Sequence, residues 1–531
     1  MHNENVGMDN RTETSPTIEE LQQKAAKLEQ QNAELSAKLK WYEDQFRLAQ
    51  QKRFGSSSER THPDQLALDL FNEAEAEANP ALPEPTLEEI TYKRKKKVGT
   101  REAKLDSLPV ETIEYRLSEE KQVCPCCAGK LHEMSTEVRR ELKMIPAEVK
   151  VVEHKRHVYA CRRCEQEATR TPIITAPMPA PVAPGSLASP SILAHIMSQK
   201  YVDSLPLYRQ EQHFLRLGVS LSRQTMANWL IAGSERWLTP LYDYMHKELL
   251  KRDIAQADET TLQVLKEPGR AAQTKSYLWL YRTGRFGPDI ILYDYQPGRG
   301  GEHPEAFLAG FKGYLQTDGY SGYNKVKNIK QLGCWSHARR YYHEALQAVP
   351  AAQRAQTAAA EGLAFCNALF AVERKVKEAT PEKRYATRLA ESKPILDAFY
   401  VWLEQQDLRV LPKGMLGKAV TYSLNQWEKL NVFLQDGRLE IDNNRSERSI
   451  KPTVIGRKNF LFSNTPRGAK ASAVIYSIVE TAKANGLKPH AYMQYLFEQM
   501  PQLADPTDPE ALGKLAPWSA SLPIICRLFS K

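Results

Sequence analysis

Between Arg252 and Trp335 the hydrophobic pattern switches to the period of strands, and it does so five times. The runs are DIAQADETTLQVL, SYLWLYRTG, DIILYDYQP, GYLQTDGY and IKQLGCWS, with a short helical stretch, HPEAFLAGF, before the fourth. Three antiparallel strands, a helix, then two further strands is the order of an RNase H-like α/β core. That order sets the first strand beside the fourth, where Asp258 and Asp318 meet. Downstream, IDNNRSERSIKP reads as a helix start with Glu447 inside it.

Two strand-borne aspartates and a helix-borne glutamate are the ligands that two divalent ions need against a phosphodiester. Mg²⁺ is hard, prefers carboxylate oxygens and keeps waters that a substrate can displace. Two such ions about 4 Å apart activate the attacking hydroxyl and neutralise the leaving oxygen. The expectation is two Mg²⁺ ions, with Mn²⁺ able to replace them. Asp258 bridges the pair, Asp318 binds one ion and Glu447 the other. Singly, each acid has a plainer reading: a turn residue, an Asx turn, a capping-box partner for Asn444. Their joint placement favours chemistry. Glu480, on the helix RGAKASAVIYSIVETAKANGLKP, is the rival for third place, but it sits near the edge of an apolar stripe, so Glu447 is preferred. Arg448, Lys451, Arg457 and Lys458 surround Glu447 as candidate contacts to a DNA backbone. His337 and Arg339, in CWSHARR, follow the fifth strand and are expected near the cleft.

Ahead of the core, Ile18, Ala25, Asn32, Leu39 and Phe46 alternate in heptad register with Leu21, Leu28, Leu35 and Tyr42. Such a seam predicts a coiled coil and hence a homodimer or higher oligomer. An acidic, Pro-containing linker follows, ending in the basic run KRKKK at Lys93–Lys97. Cys124, Cys127, Cys161 and Cys164 form two C-x2-C pairs separated by residues 128–160. Each pair suits one half of a tetrahedral site for a single structural Zn²⁺, and the gap contains a strand-like VKVVEHKRHVYA for a hairpin between the knuckles. After a Pro-rich connector, two helices joined around Gly218 resemble a helix-turn-helix. Arg223, Gln224 and Asn228 then face DNA.

These readings divide the chain into a coiled coil (1–52), a linker with the basic run (53–105), a zinc-binding domain (106–170) and a connector (171–190). A helix-turn-helix-like segment (191–245), the first part of the core (246–336), a helical insertion (337–436), the last part of the core (437–485) and a C-terminal segment (486–531) complete it. The fold class expected is multidomain α/β. A net charge of +9 over 531 residues favours a polyanionic partner without proving one. The polar start, and the lack of any apolar run of membrane-spanning length, predict a cytoplasmic protein with no membrane partner, associated with the nucleoid when on DNA.

ADETTLQVL, LQTDGYSGYN, CWSHARR and IDNNRSERSIKPTVIGRKNFLFSN resemble the transposases of the insertion sequence 66 family, as do KYVDSLPLYRQEQHF, CPCC, CRRC and KRFGSSSER. The resemblance runs in one order from about residue 20 to 515. It implies a DDE-type transposase with a leucine zipper, a zinc-binding domain and an RNase H-like core carrying a helical insertion. The acidic triad then falls on Asp258, Asp318 and Glu447, and accessory proteins of the same mobile element are implied as partners. The expected activity is DNA cleavage at element ends and joining of 3′-hydroxyls to target DNA. The alternative is a zinc- and helix-turn-helix-containing regulator with an inactive core.

Overall fold

The five strand-period runs form one sheet. A short pair precedes it, β1 (Val158–Ala160) and β2 (Ile173–Thr175). The sheet itself holds β3 (Ile254–Gln263), β4 (Lys275–Thr283), β5 (Ile291–Gln296), β6 (Gly313–Gln316) and β7 (Ile329–Leu332). Its order is β5-β4-β3-β6-β7. β3, β4 and β5 are antiparallel neighbours, whereas β6 and β7 run parallel to β3. In β4 the consecutive residues Leu278, Trp279, Leu280 and Tyr281 are all buried, so both faces of the sheet are covered.

The structure is a computed structural model that describes residues 148–160 and 173–528. The expected coiled coil, the basic linker and the cysteines Cys124, Cys127, Cys161 and Cys164 lie outside the described residues. Two compact units are present. The larger contains 180–207 and 224–522; the smaller contains 148–160, 173–179, 208–223 and 523–528. In the smaller unit β1 pairs antiparallel with β2, Val158 opposite Thr175. The strand partner therefore lies beyond Cys161 and Cys164, not between the two cysteine pairs as VKVVEHKRHVYA had led us to expect.

The helices are α1 (Pro190–Tyr201), α2 (Leu207–Arg216), α3 (Arg223–Gly233), α4 (Thr239–Leu250), α5 (Glu302–Phe307), α6 (Trp335–Gln347), α7 (Ala358–Lys375) and α8 (Pro381–Thr387). Then come α9 (Lys393–Asp407), α10 (Met415–Asn425), α11 (Trp427–Asn431), α12 (Asn444–Phe460), α13 (Pro466–Ala484), α14 (Pro489–Gln499) and α15 (Pro509–Leu515). Between β7 and α12 every regular element is a helix. α6, α7, α9, α10 and α11 share one core in which Trp335, Tyr342, Phe399, Leu403, Val420 and Leu430 are buried. Trp335 fixes its indole by donating to the Leu430 carbonyl at 2.9 Å. Among the described residues, no helix is long and apolar enough to cross a membrane.

α13 covers the open edge of the sheet. An edge strand presents unpaired backbone groups that must be satisfied or shielded. Here the Tyr293 N–H donates to the Ser477 hydroxyl at 2.8 Å and the Ile291 N–H to the Thr481 hydroxyl at 2.9 Å. Thr481 in turn donates to the Ile291 carbonyl at 2.9 Å. α13 was expected to be amphipathic, but from Ile475 to Ala482 every residue is buried, because the helix lies against β5 on one side and has α1 and α14 as further neighbours. It ends where expected, with Gly486 in the left-handed region (φ 71°) three residues before Pro489.

Candidate active site

β3 outruns its parallel neighbour. Pairing with β6 stops at Gln256 opposite Gln316, and Asp258 and Asp318 each stand two residues beyond that last pair. The two acids therefore sit where the strands part. Asp258 continues in β3, opposite Leu280 of β4. Asp318 enters a turn: its Oδ1 accepts the Tyr320 N–H at 2.9 Å, and Gly319 takes φ 95°, a value that favours glycine. The Asx turn and the functional placement coexist. The Asp318 carbonyl accepts the Tyr422 hydroxyl of α10 at 3.1 Å, so a helix of the region after β7 helps to hold this acid.

Glu447 arrives on the first turn of α12. The turn before that helix is fixed to the sheet by Asn443, fully buried, whose side-chain N–H donates to the Ala257 carbonyl at 3.0 Å. The Ser446 hydroxyl donates back to the Asn443 side-chain oxygen at 2.9 Å. Below it, the Gln256 amide bridges Gln316 Oε1 and Glu440 Oε2, both at 2.8 Å, and Gln316 donates to the Glu440 carbonyl at 2.9 Å. Burial raises the Glu440 pKa, but Arg445, Gln256 and Arg282 outweigh that and hold it below the usual range. Three separate chain segments are thus joined by polar contacts with few unsatisfied atoms.

The electrostatics link the three acids. Asp258 is packed closely by protein, and burial, with the carboxylates of Glu259, Asp318 and Glu447, raises its pKa well above the aspartate range. Glu447 lies 3.9 Å from His337 Nδ1 and 3.8 Å from Arg340, too far for hydrogen bonds. Both His337 Nδ1 and Glu447 Oε1 are shut off from solvent and have no hydrogen-bond partner. Buried unpaired atoms of this kind are rare. A buried aspartate whose charge is disfavoured by two further acids, with an unsatisfied carboxylate oxygen on one of them, fits a divalent cation site.

Other candidates fall out differently. Glu480 is buried along α13, pairs with Lys483 at 2.9 Å and acts electrostatically on Tyr293 of β5; the carboxylates acting on Asp258 do not include it. Arg448 and Lys458 are exposed and Lys451 half-buried. Arg457 instead reaches β3, donating to the Thr261 carbonyl and hydroxyl and to the Thr260 hydroxyl. His337 is beside Glu447 as expected, but Arg339 donates to Asn367 of α7 at 2.7 Å, and its neighbour Arg340 faces the acid. Arg223, Gln224 and Asn228 are exposed near the start of α3, with the Arg223 N–H bonded to Glu211 at 2.9 Å.

Two residues were given no role by the sequence, and Glu259, which reads there as merely solvent-facing, has a side chain that is almost fully buried. Glu259, next to Asp258, accepts the Tyr323 hydroxyl at 2.6 Å and two guanidinium N–H bonds from Arg299, at 2.8 and 2.5 Å. Arg299 also lies over the Tyr320 ring, 4.0 Å from its centre. The only signal was a glycine-rich stretch, PGRGG, around Arg299.

Comparison with known proteins agrees with this architecture. A family model described as Transposase IS66 family matches residues 185–471, spanning the sheet and all three acids. The zinc-finger binding domain of transposase IS66 matches 121–165, a model described as Transposase C of IS166 homeodomain matches 41–113, and the IS66 C-terminal element matches 477–518. Among curated relatives, the uncharacterized protein y4qI of Sinorhizobium fredii (strain NBRC 101917 / NGR234) is 33% identical over 75% of this chain and 74% of its own. The uncharacterized protein y4jD of the same organism is 30% identical over 75% of this chain and 78% of its own. This chain belongs to the IS66 family of transposases.

Proposed function

We propose that the protein cleaves the ends of its mobile element and joins the resulting 3′-hydroxyls to target DNA by metal-dependent phosphoryl transfer, on an RNase H-like core. The reading is carried by one observation: the carboxylates of Asp318 and Glu447, far from Asp258 in sequence, both act on it at the point where β3 and β6 separate. The sheet order, with three antiparallel strands followed by two parallel ones, supports the RNase H-like assignment.

Asp258 is central, since both other acids act on its carboxyl, and it would hold the metal together with them. Asp318, in a tight turn, and Glu447, on the first turn of α12, would be its fellow ligands. When bound, the two ions activate the attacking oxygen and stabilise the leaving one. The protein's own part is positioning. Asn443 and the Gln256–Gln316–Glu440 cluster set the acids, while Arg448, Lys451 and Lys458 on α12 offer cationic contacts to the strand. Arg457 belongs to the scaffold first, since its guanidinium is committed to β3. Arg223, Gln224 and Asn228 are proposed for DNA contact, and the cysteines Cys124, Cys127, Cys161 and Cys164 for one structural Zn²⁺ within the matched zinc-finger domain. Dimerisation through the N-terminal heptads, and accessory proteins of the element, complete the proposal.

The deciding experiment is a cleavage and strand-transfer assay on the element's own ends with Asp258→Asn, Asp318→Asn and Glu447→Gln. Loss of both reactions with retained end binding is expected. Wild-type-like cutting by either aspartate variant would refute the assignment.

A further inference from the structure

Beside the proposed magnesium site lies a second set of donors of a different chemical kind. Cys334 Sγ, a ring nitrogen of His337 and a carboxylate oxygen of Glu447 all lie within 4.8 Å of one another. Cys334 directly precedes α6, His337 is on its first turn and Glu447 is on the first turn of α12. Two backbone contacts join these helix starts. The Trp335 N–H donates to the Ile441 carbonyl at 3.1 Å, and the Asn443 N–H donates to the Cys334 sulfur at 3.2 Å. The three donors are therefore fixed by the fold and do not depend on a mobile loop.

Two of the donor atoms have no partner. His337 Nδ1 and Glu447 Oε1 face each other at 3.9 Å, buried and without a hydrogen bond. Leaving such groups buried and unpaired destabilises the fold. A cation between them would satisfy both. The set is one sulfur, one imidazole nitrogen and one carboxylate oxygen, which suits zinc and its borderline-soft neighbours and suits magnesium poorly. Bond lengths of about 2.0–2.3 Å require the donors to draw together by roughly an ångström, within reach of side-chain rotation. Three protein ligands leave a fourth position for water.

We propose that Cys334, His337 and Glu447 form a binding site for a transition-metal ion of the zinc class, distinct from the zinc-finger domain. Because Glu447 serves both sites, occupancy by that ion excludes the magnesium pair; this second clause rests on the proposed function, whereas the binding itself does not. The test uses the full-length chain in two preparations: one with zinc supplied and excess removed, for metal content, and one stripped of metal and titrated with Co²⁺ as a spectroscopic probe. The wild type is expected to hold one equivalent more than Cys334→Ser or His337→Gln, with a thiolate-to-cobalt absorption that each variant reduces. Millimolar Mg²⁺ is expected to release this equivalent and leave the zinc-finger ion in place. Equal metal content and identical cobalt spectra in wild type and both variants would overturn the site. Since His337 is partly exposed, His337→Gln serves if the buried Cys334→Ser fails to fold. An extra equivalent in a protein that cuts no DNA under any condition would leave this site standing and remove the transposition chemistry instead.

Discussion

The side chain of Asn443 donates a hydrogen bond to the backbone carbonyl of Ala257 at 3.0 Å, tying the start of one acid's helix to the strand residue just before another acid. Glu447 is placed through this contact, because Asn443 is fully buried and its oxygen also holds Ser446.

Replacing Asn443 with alanine leaves the Ala257 carbonyl and the Ser446 hydroxyl without that partner. The expected cost is about 1–3 kcal/mol of stability, read from urea unfolding. A further loss of about 10–100-fold in divalent-metal affinity or cleavage rate is expected, as for other groups that orient metal ligands.

Asp258→Asn separates charge from fold. Burial and the carboxylates of Glu259, Asp318 and Glu447 hold the Asp258 pKa well above its unfolded value near 3.8. The ionised form therefore weakens the folded state once pH rises through the folded value, and that penalty is absent below the unfolded one. Without metal, the asparagine variant is expected to melt at higher temperature than wild type at neutral and alkaline pH, with the difference vanishing near pH 4. Added Mg²⁺ should raise the melting temperature of the wild type only. A variant no more stable than wild type at pH 8 would contradict this.

Arg388 is the central residue of the helical region after β7. Its side chain is fully buried; it pairs with Glu373 at 2.7 and 2.8 Å and donates to the carbonyls of Phe433 and Leu439, both at 2.8 Å. Arg388→Ala leaves Glu373 with Arg384 alone, at 3.3 Å, and frees the segment leading to Glu440. A loss of about 3–5 kcal/mol is expected, with protease cutting between 433 and 440 ahead of the sheet.

Glu447→Gln and Glu480→Gln should differ sharply. The first is expected to abolish metal-dependent cleavage. The second breaks only the pair that the buried Glu480 makes with Lys483 along β5, and cleavage should stay within a few-fold of wild type. Cleavage lost in the Glu480 variant and kept in the other would reverse the choice of third acid.

Arg448→Ala is expected to lower the salt dependence of DNA binding by about one unit of slope. Arg457→Ala should leave that slope alone and reduce stability, since its hydrogen bonds go to Thr260 and Thr261. Salt titrations of both variants distinguish a phosphate contact from a brace.

The strand order and the meeting of Asp258 with Asp318 were readable in advance, because strand period and intervening helix constrain the topology before any coordinates exist. The third acid was harder. Glu447 and Glu480 both lie on helices after the sheet, and only packing shows that one faces Asp258 while the other lies along the β5 edge. Arg339 and Arg340 illustrate a finer limit. Adjacent helical residues point about 100° apart, so the choice between them needs the helix orientation, which apolar spacing in CWSHARR does not supply. Glu259 and Arg299 were invisible for another reason: their partnership crosses the fold and leaves no mark in local pattern.

The separation between Asp258 and Glu447 has a consequence during synthesis. The ribosome adds about 5–20 residues each second, and Glu447 follows Asp258 by 189 positions (447 − 258). For roughly 10–40 s, on that rate, a growing chain holds its first carboxylate without its last. On the proposed chemistry, a half-made polypeptide cannot cut the chromosome it emerges near, and premature termination anywhere in that interval is expected to yield a product without cleavage activity.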